Sequence, residues 1–184
     1  MEKFGQIKQV NTDLKELWLD YWITENVFTV QWWIIIAGLI VPHLIFWKVI
    51  DRSRIMEISV VGLVIALVSY LLDQMGASLR LWSYAYTATP LAREVWDPAD
   101  FSILPICYML FYQWFPKWKS YCVALVLFGF FGAYVGGNFF QWLGIYHMDN
   151  WRHIYSVPIY CCIGVLAKYL AGKLKRVEVA NKCT

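Results

Sequence analysis

Charge is scarce in this chain: 16% of its 184 residues are Asp, Glu, Lys or Arg, against 60% hydrophobic. A soluble domain of this size would have too little polar surface to cover it. No long basic run accompanies the formal charge of +3, which argues against a nucleic-acid partner. The five cysteines are an odd number; Cys107, Cys161 and Cys162 lie in apolar runs, Cys122 beside one, and Cys183 in the tail, so no disulfide framework is expected. The first 26 residues are polar and acidic and lack the basic start of a cleaved signal peptide. Nucleophile elbow, phosphate loop and paired Cys or His motifs with metal-ligand spacing are all missing. No catalytic residue, metal site or cofactor is therefore expected.

What is abundant is long apolar sequence, with 18% aromatics and a mean hydropathy of +0.48. A run of about 20 apolar residues crosses a bilayer as a helix. The expectation is an all-α integral membrane bundle of five transmembrane helices over residues 27–47, 55–75, 98–115, 121–143 and 156–174, with a basic tail over 175–184. Residues 1–26 precede it; Leu14, Leu17, Trp18, Tyr21 and Trp22 recur there at helical spacing, which suits an amphipathic helix lying on the membrane surface.

Punctuation residues refine this. Pro42 and Pro105 are expected to kink their spans. Gly76 reads as the left-handed residue ending the second span, and Gly144 as the one ending the fourth. Asp97-Pro98-Ala99-Asp100 resembles a helix start, with Asp97 as cap, Pro98 at the first helical position and Asp100 as the acid of a capping box. Ser156 reads as the cap of the fifth span, which places Pro158 harmlessly in the first turn. Ser59, Gly62, Ala66 and Ser69, and the series Gly129, Ala133, Gly137 and Gly132, Gly136, are small-residue rows that let helices approach closely.

Chemistry is expected in residues 143–160, where titratable and aromatic side chains crowd between two apolar runs. The candidate ligand-binding residues are Asp73, Arg80, Trp82, Tyr84, Tyr146, Trp151, Arg152, His153 and Tyr155. Asp73 stands in the last turn of a span, against the helix dipole and at the bilayer edge, so it needs a cation, Arg80 or Arg152, or else reaches water. Residues 77–96 are apolar enough to fold back as a lid or interfacial cap. Trp151, Arg152 and His153 at a helix start suit either an anion site or an interfacial anchor. His43, one turn from its span end, reads as a boundary residue or a functional one. His147 and His153, six residues apart, are weak evidence for metal.

Basic residues orient the bundle. Ten of the sixteen Lys and Arg (Lys48, Arg52, Arg54, Lys117, Lys119, Lys168, Lys173, Lys175, Arg176 and Lys182) fall on one side, and Lys3, Lys8, Lys15, Arg80, Arg93 and Arg152 on the other. The positive-inside rule puts the C-terminus in the cytoplasm and, with five spans, the N-terminus and the candidate site outside.

These residues also carry a resemblance. Val49-Ile50-Asp51-Arg52, Asp73 with Gly76, Trp82 and Tyr84, then residues 108–116 (Tyr-Met-Leu-Phe-Tyr-Gln-Trp-Phe-Pro), 143–146 (Leu-Gly-Ile-Tyr) and 151–160 (Trp-Arg-His-Ile-Tyr-Ser-Val-Pro-Ile-Tyr) resemble a family of small, uncharacterised multi-span membrane proteins of endospore-forming Firmicutes. The resemblance covers roughly residues 47–174, the last motif being its most specific part. Where that family often has a Glu-Pro pair near the end of the fourth span, Gly137-Asn138 stands here, which weakens any role for an intramembrane carboxylate at that place. The resemblance implies a bacterial cell-membrane location and raises a link to sporulation, with no established activity.

Three functions compete. The favoured one is a non-enzymatic ligand-binding or transport-related component with an extracytoplasmic polar and aromatic pocket. The others are an enzyme acting on a lipid headgroup or envelope precursor, with His153 as acid or base, and a structural subunit whose glycine-rich span docks a partner. Membrane lipids are the expected partners, with a second copy or another membrane protein as the docking alternative.

Overall fold

The computed structural model describes residues 1–90 and 97–182; Arg93, Glu94, Cys183 and the last stretch of the expected cap lie outside the described residues. The fold is a helical bundle. Helix α1 (Glu2–Tyr21) continues as a π-type turn, Trp22–Asn26, and α2 spans Val30–Val49. A short 3-10 turn, Arg52–Arg54, leads into α3 (Ile55–Ser78). A π-type turn, Ala99–Ile103, runs directly into α4 (Leu104–Trp114). Helix α5 (Trp118–Phe130), a π-type stretch (Phe131–Gly136) and α6 (Gly137–Trp142) follow one another without a break, and α7 covers His153–Lys182. Two short strands, β1 (Trp82–Tyr84) and β2 (Tyr146–Met148), pair antiparallel at one end of the bundle.

Four helical stretches are long and apolar enough to cross a membrane: Val30–Val49, Arg52–Ser78, Trp118–Trp142 and His153–Val177. The segment expected as the third of five spans does not join them by length, because its five-residue turn and eleven-residue helix fall short of the roughly 20 residues a bilayer needs. Length is not demanded of it. Its Leu104, Pro105, Ile106, Tyr108, Met109 and Tyr112 are buried, so α4 is a core element held by its neighbours. Against it pack Ile58, Val61 and Ile65 of α3, Leu125 of α5, and Ile163, Ala167 and Ala171 of α7.

Small residues set the closest approaches. A Cβ at Gly62 would stand 2.5 Å from Met109 Sδ, and one at Gly164 would stand 2.5 Å from Tyr108 Cε1 and 2.7 Å from Leu125 Cδ2. These gaps let the Tyr108 hydroxyl donate to the Tyr160 carbonyl at 2.7 Å and the Tyr121 hydroxyl to the Gly164 carbonyl at 2.9 Å, so two buried tyrosines tie α4 and α5 to the backbone of α7. The glycines of the Trp118–Trp142 stretch divide by role. Gly129 and Gly137 face α7, where an added Cβ would stand 3.3 Å from the Val157 carbonyl oxygen and 2.9 Å from the His153 ring, whereas one at Gly136 would meet nothing within 4 Å. Gly137→Ala is therefore expected to cost about 1–2 kcal/mol by overpacking, and Gly136→Ala to stay within about 0.5 kcal/mol of the parent. Thermal unfolding of both variants in detergent checks this, and an equal loss for the two would refute the assignment.

Some punctuation is corrected. Gly76 is buried within α3, which continues to Ser78; the left-handed residue of this turn is Arg80, at φ 54°. Gly144 does end its helix left-handed, at φ 71°. Helix α7 starts at His153 rather than after Ser156, so Pro158 lies inside it, and the Ser156 hydroxyl accepts a bond from Trp151 Nε1 at 2.9 Å. Asp97 caps as expected, its Oδ1 accepting from the Ala99 and Asp100 amides at 2.6 and 3.4 Å. Helix α1 buries none of its residues. Its end is docked: the Tyr21 hydroxyl, Trp22 Nε1 and Asn26 amide donate to the carbonyls of Ala85, Thr87 and Ala85.

Candidate functional site

The site begins with a glycine. Gly76 stands one turn beyond Asp73 on α3, and without a side chain it lets the Trp82 indole lie against the helix, since a Cβ there would fall 2.1 Å from two ring carbons. From that position Trp82 Nε1 donates to Asp73 Oδ1 at 2.8 Å, and the Tyr84 hydroxyl donates to the same oxygen at 2.6 Å. Both donors come from β1. Strand alternation puts residues two apart on one face, so Trp82 and Tyr84 turn inward while Ser83 is exposed.

Strand β2 supplies the other half, in the register Trp82–Met148, Ser83–His147 and Tyr84–Tyr146. Rings pair across it: Tyr84 with Tyr146 at 5.6 Å between centroids, Trp82 with Trp151 at 5.3 Å, and Trp151 with Tyr155 at 5.4 Å. The backbone secures the ribbon, with the Leu81 amide on the Gly76 carbonyl and the Asp149 and Asn150 amides both on the Leu81 carbonyl, each at 3.0 Å.

Beneath the ribbon lies a cavity of about 320 Å³ reaching down between α3, α4, α5 and α7. That volume suits a small organic molecule. Six of the nine expected binding residues line it: Asp73, Trp82, Tyr84, Tyr146, Trp151 and His153. The other three do not. Arg80 and Arg152 are exposed, and Tyr155 reaches the site through the Trp151 ring. The expected Asp73–arginine pair does not form: among the described residues the ion pairs are Arg54–Glu57 and Lys175–Glu57, at the opposite end. Neutral donors hold Asp73 instead, because Gly76 brings an indole within reach before either arginine.

Asp97 and Asp100, read from sequence as capping residues, line the same cavity. Asp97 does cap, but the capping-box reading of Asp100 fails; it is 6% exposed and its Oδ2 has no hydrogen-bond partner. The three carboxylates act on one another electrostatically. Outside the spanning helices, enclosure and then the charge of Asp73 push the Asp97 carboxyl up to about 7. Burial, followed by Asp97 and Asp73, drives the Tyr84 hydroxyl well above its ordinary range, so it stays a donor. His153 sits at the cavity wall with Nε2 at 3.2 Å from Asn138 Oδ1 and its ring 5.4 Å from that of Tyr134.

Neither a family model, nor a curated protein, nor a solved structure matches the chain. The site must be read from its own chemistry. Among the described residues no group of three His, Cys, Asp or Glu side chains is gathered so as to hold a metal ion; His147 faces out of the ribbon, exposed. His43 is satisfied by its own helix, Nδ1 lying 2.8 Å from the Leu39 carbonyl with the Ser102 hydroxyl at 3.2 Å.

Sequence reasoning also passed over a second polar centre. At the opposite end Glu57 takes Lys175 Nζ at 2.8 Å, Arg54 at 3.4 Å and the Tyr112 hydroxyl. Lys168, 6% exposed, donates to the carbonyls of Phe115 at 2.7 Å and Pro116 at 3.0 Å, and lies over the Tyr121 ring at 4.1 Å.

Proposed function

We propose that the protein is a non-enzymatic ligand-binding or transport-related component of a bacterial cell membrane, with its pocket open to the extracytoplasmic side. The observation that carries this reading is the cavity under the β ribbon, where carboxylates and aromatic rings from widely separated chain segments meet. Such a wall binds and orients a guest. A structural subunit has no use for a hollow walled by buried carboxylates and aromatic rings, whereas His153, bonded to an asparagine and packed on a tyrosine, has the surroundings of a positioned wall residue rather than those of an activated base.

In this reading the short Ala99–Trp114 segment is a fifth crossing, sheltered by its neighbours, and α1 lies on the outer membrane surface as an interfacial helix. The excess of Lys and Arg at the Glu57 end supports a cytoplasmic C-terminus. Kinship with the small multi-span proteins of endospore-forming Firmicutes, and a link to sporulation, belong to the same proposal.

Single-cysteine variants test orientation and access together. Ser83→Cys on the exposed ribbon face and Gly136→Cys at the cavity wall are expected to react with a small, charged, membrane-impermeant thiol reagent in intact cells. A chain retaining only Cys183 is expected to react after permeabilisation alone. Outside labelling of Cys183 would reverse the orientation. Protection of Gly136→Cys alongside labelling of Ser83→Cys would close the pocket to outside solutes.

A further inference from the structure

We propose that the cavity binds an organic cation, an ammonium group carried on an apolar or aromatic body, between Asp73 and Asp100. The inference rests on the ligand-binding reading and specifies its substrate class.

Charge accounting is the first step. Asp73 and Asp100 are 8% and 6% exposed, Asp97 lies beside them, and none is paired with a cation among the described residues. Buried carboxylates that repel one another and lack a counter-charge are costly unless protonated or joined by a cation. The second step is independent of the acid count. Asp73 uses one oxygen for Trp82 and Tyr84, and its Oδ2, like Asp100 Oδ2, is buried without a partner. Both residues line the cavity. Two buried acceptors without partners, on residues that border one hollow, match a donor that arrives with the guest.

The rest of the wall narrows the class. Trp82, Trp151, Tyr84, Tyr146 and Tyr160 surround the acids, and aromatic faces attract cations, most strongly when water is excluded. Deeper lining residues such as Leu104, Phe128 and Ile163 are apolar, a place for a hydrocarbon body and a poor one for a hydrated metal ion. An anion would meet three carboxylates, with both nearby arginines, Arg80 and Arg152, turned to solvent. The geometry therefore favours a headgroup cation with an apolar tail or ring.

The test uses the full chain in detergent or nanodiscs at pH 7.5 and three aromatic probes of similar shape. Benzylammonium carries the charge and the N–H donors, ethylbenzene replaces its nitrogen with carbon, and benzenesulfonate reverses the sign. Calorimetry or thermal-shift titration is expected to show benzylammonium binding at least tenfold more tightly than ethylbenzene, and benzenesulfonate not at all. Asp73→Asn and Asp100→Asn should each weaken the cation at least tenfold, with Asp51→Asn, half-buried at the other end, unchanged. The probe comparison needs only the unaltered chain, so it decides even if an aspartate variant fails to fold. Equal binding of the cation and its neutral isostere would overturn the cation inference while leaving a ligand pocket standing. Binding of calcium alone in place of the organic probe would overturn it in favour of a metal. Failure of every probe would remove the ligand-binding reading as well.

Discussion

Gly76→Ala is expected to destabilise the protein by about 3 kcal/mol, combining overpacking of a filled site with the loss of a hydrogen bond to a carboxylate. The added methyl would coincide with the Trp82 ring, 2.1 Å from two of its carbons, so the indole must leave the α3 surface. Its Nε1 bond to Asp73 goes with it, and the edge contact with Trp151 is disturbed. The effect is specific to that one neighbour. In a Trp82→Ala background the same substitution should cost less than about 0.5 kcal/mol, because the colliding partner is gone and independent effects would otherwise add. Denaturation midpoints of the two single variants and the double variant measure this coupling; additive losses would show that Gly76 matters for helix geometry instead.

The second large effect lies at the opposite end. Lys168→Met keeps most of the unbranched side chain and removes its charge, and is expected to cost about 3 kcal/mol, since two carbonyls are left without their charged donor. Those carbonyls, of Phe115 and Pro116, close the C-terminal end of α4, where Pro116 stops the helix and has no amide to offer. The ammonium is also held over the rings of Tyr121 at 4.1 Å and Trp118 at 5.2 Å. Lys173→Met, on an exposed turn of the same helix, is the control and should change stability by no more than about 0.5 kcal/mol. Equal midpoints for the two methionine variants would mean that Lys168 simply reaches water.

How far the sequence discloses this fold depends on the kind of signal. Long apolar runs announce α2, α3, the α5–α6 stretch and α7, because a bilayer needs about 20 such residues in succession. The α4 segment shows the limit: apolarity is the same for a helix facing lipid and one facing protein, so composition does not say that Leu104–Trp114 is short and internal. Gly76 and Gly144 look alike as helix ends, yet one ends a helix and the other receives an indole. Only the position of Trp82, six residues on and brought back by the Arg80 turn, separates them.

The site was half visible for a related reason. Asp73, Trp82, Tyr84, Tyr146, Trp151 and His153 stand out as polar or aromatic residues at span ends. Asp97 and Asp100 were absorbed by a capping motif, a local explanation that is right for the first and hides the second. A topological argument could have recovered them, since the exit of α3 and the entry of α4 must lie at the same end of the bundle. Asp73 has no arginine partner because the Trp82 indole and the Tyr84 hydroxyl, both neutral donors, are closer to it in space.

Two of the three π-type turns, Ala99–Ile103 and Phe131–Gly136, border the cavity. A π-type turn holds one residue more than an α turn, so each of these helices carries a surplus residue beside the hollow. Removing a residue from Phe131–Gly136 would regularise the winding but swing everything downstream by about 100°, the angular step of one residue. Gly137 would rotate away from His153, and the chain would enter β2 out of phase with β1. The surplus residue is thus a phase setter: it lets one continuous rod present its packing face to α7 below and a different face to the cavity above.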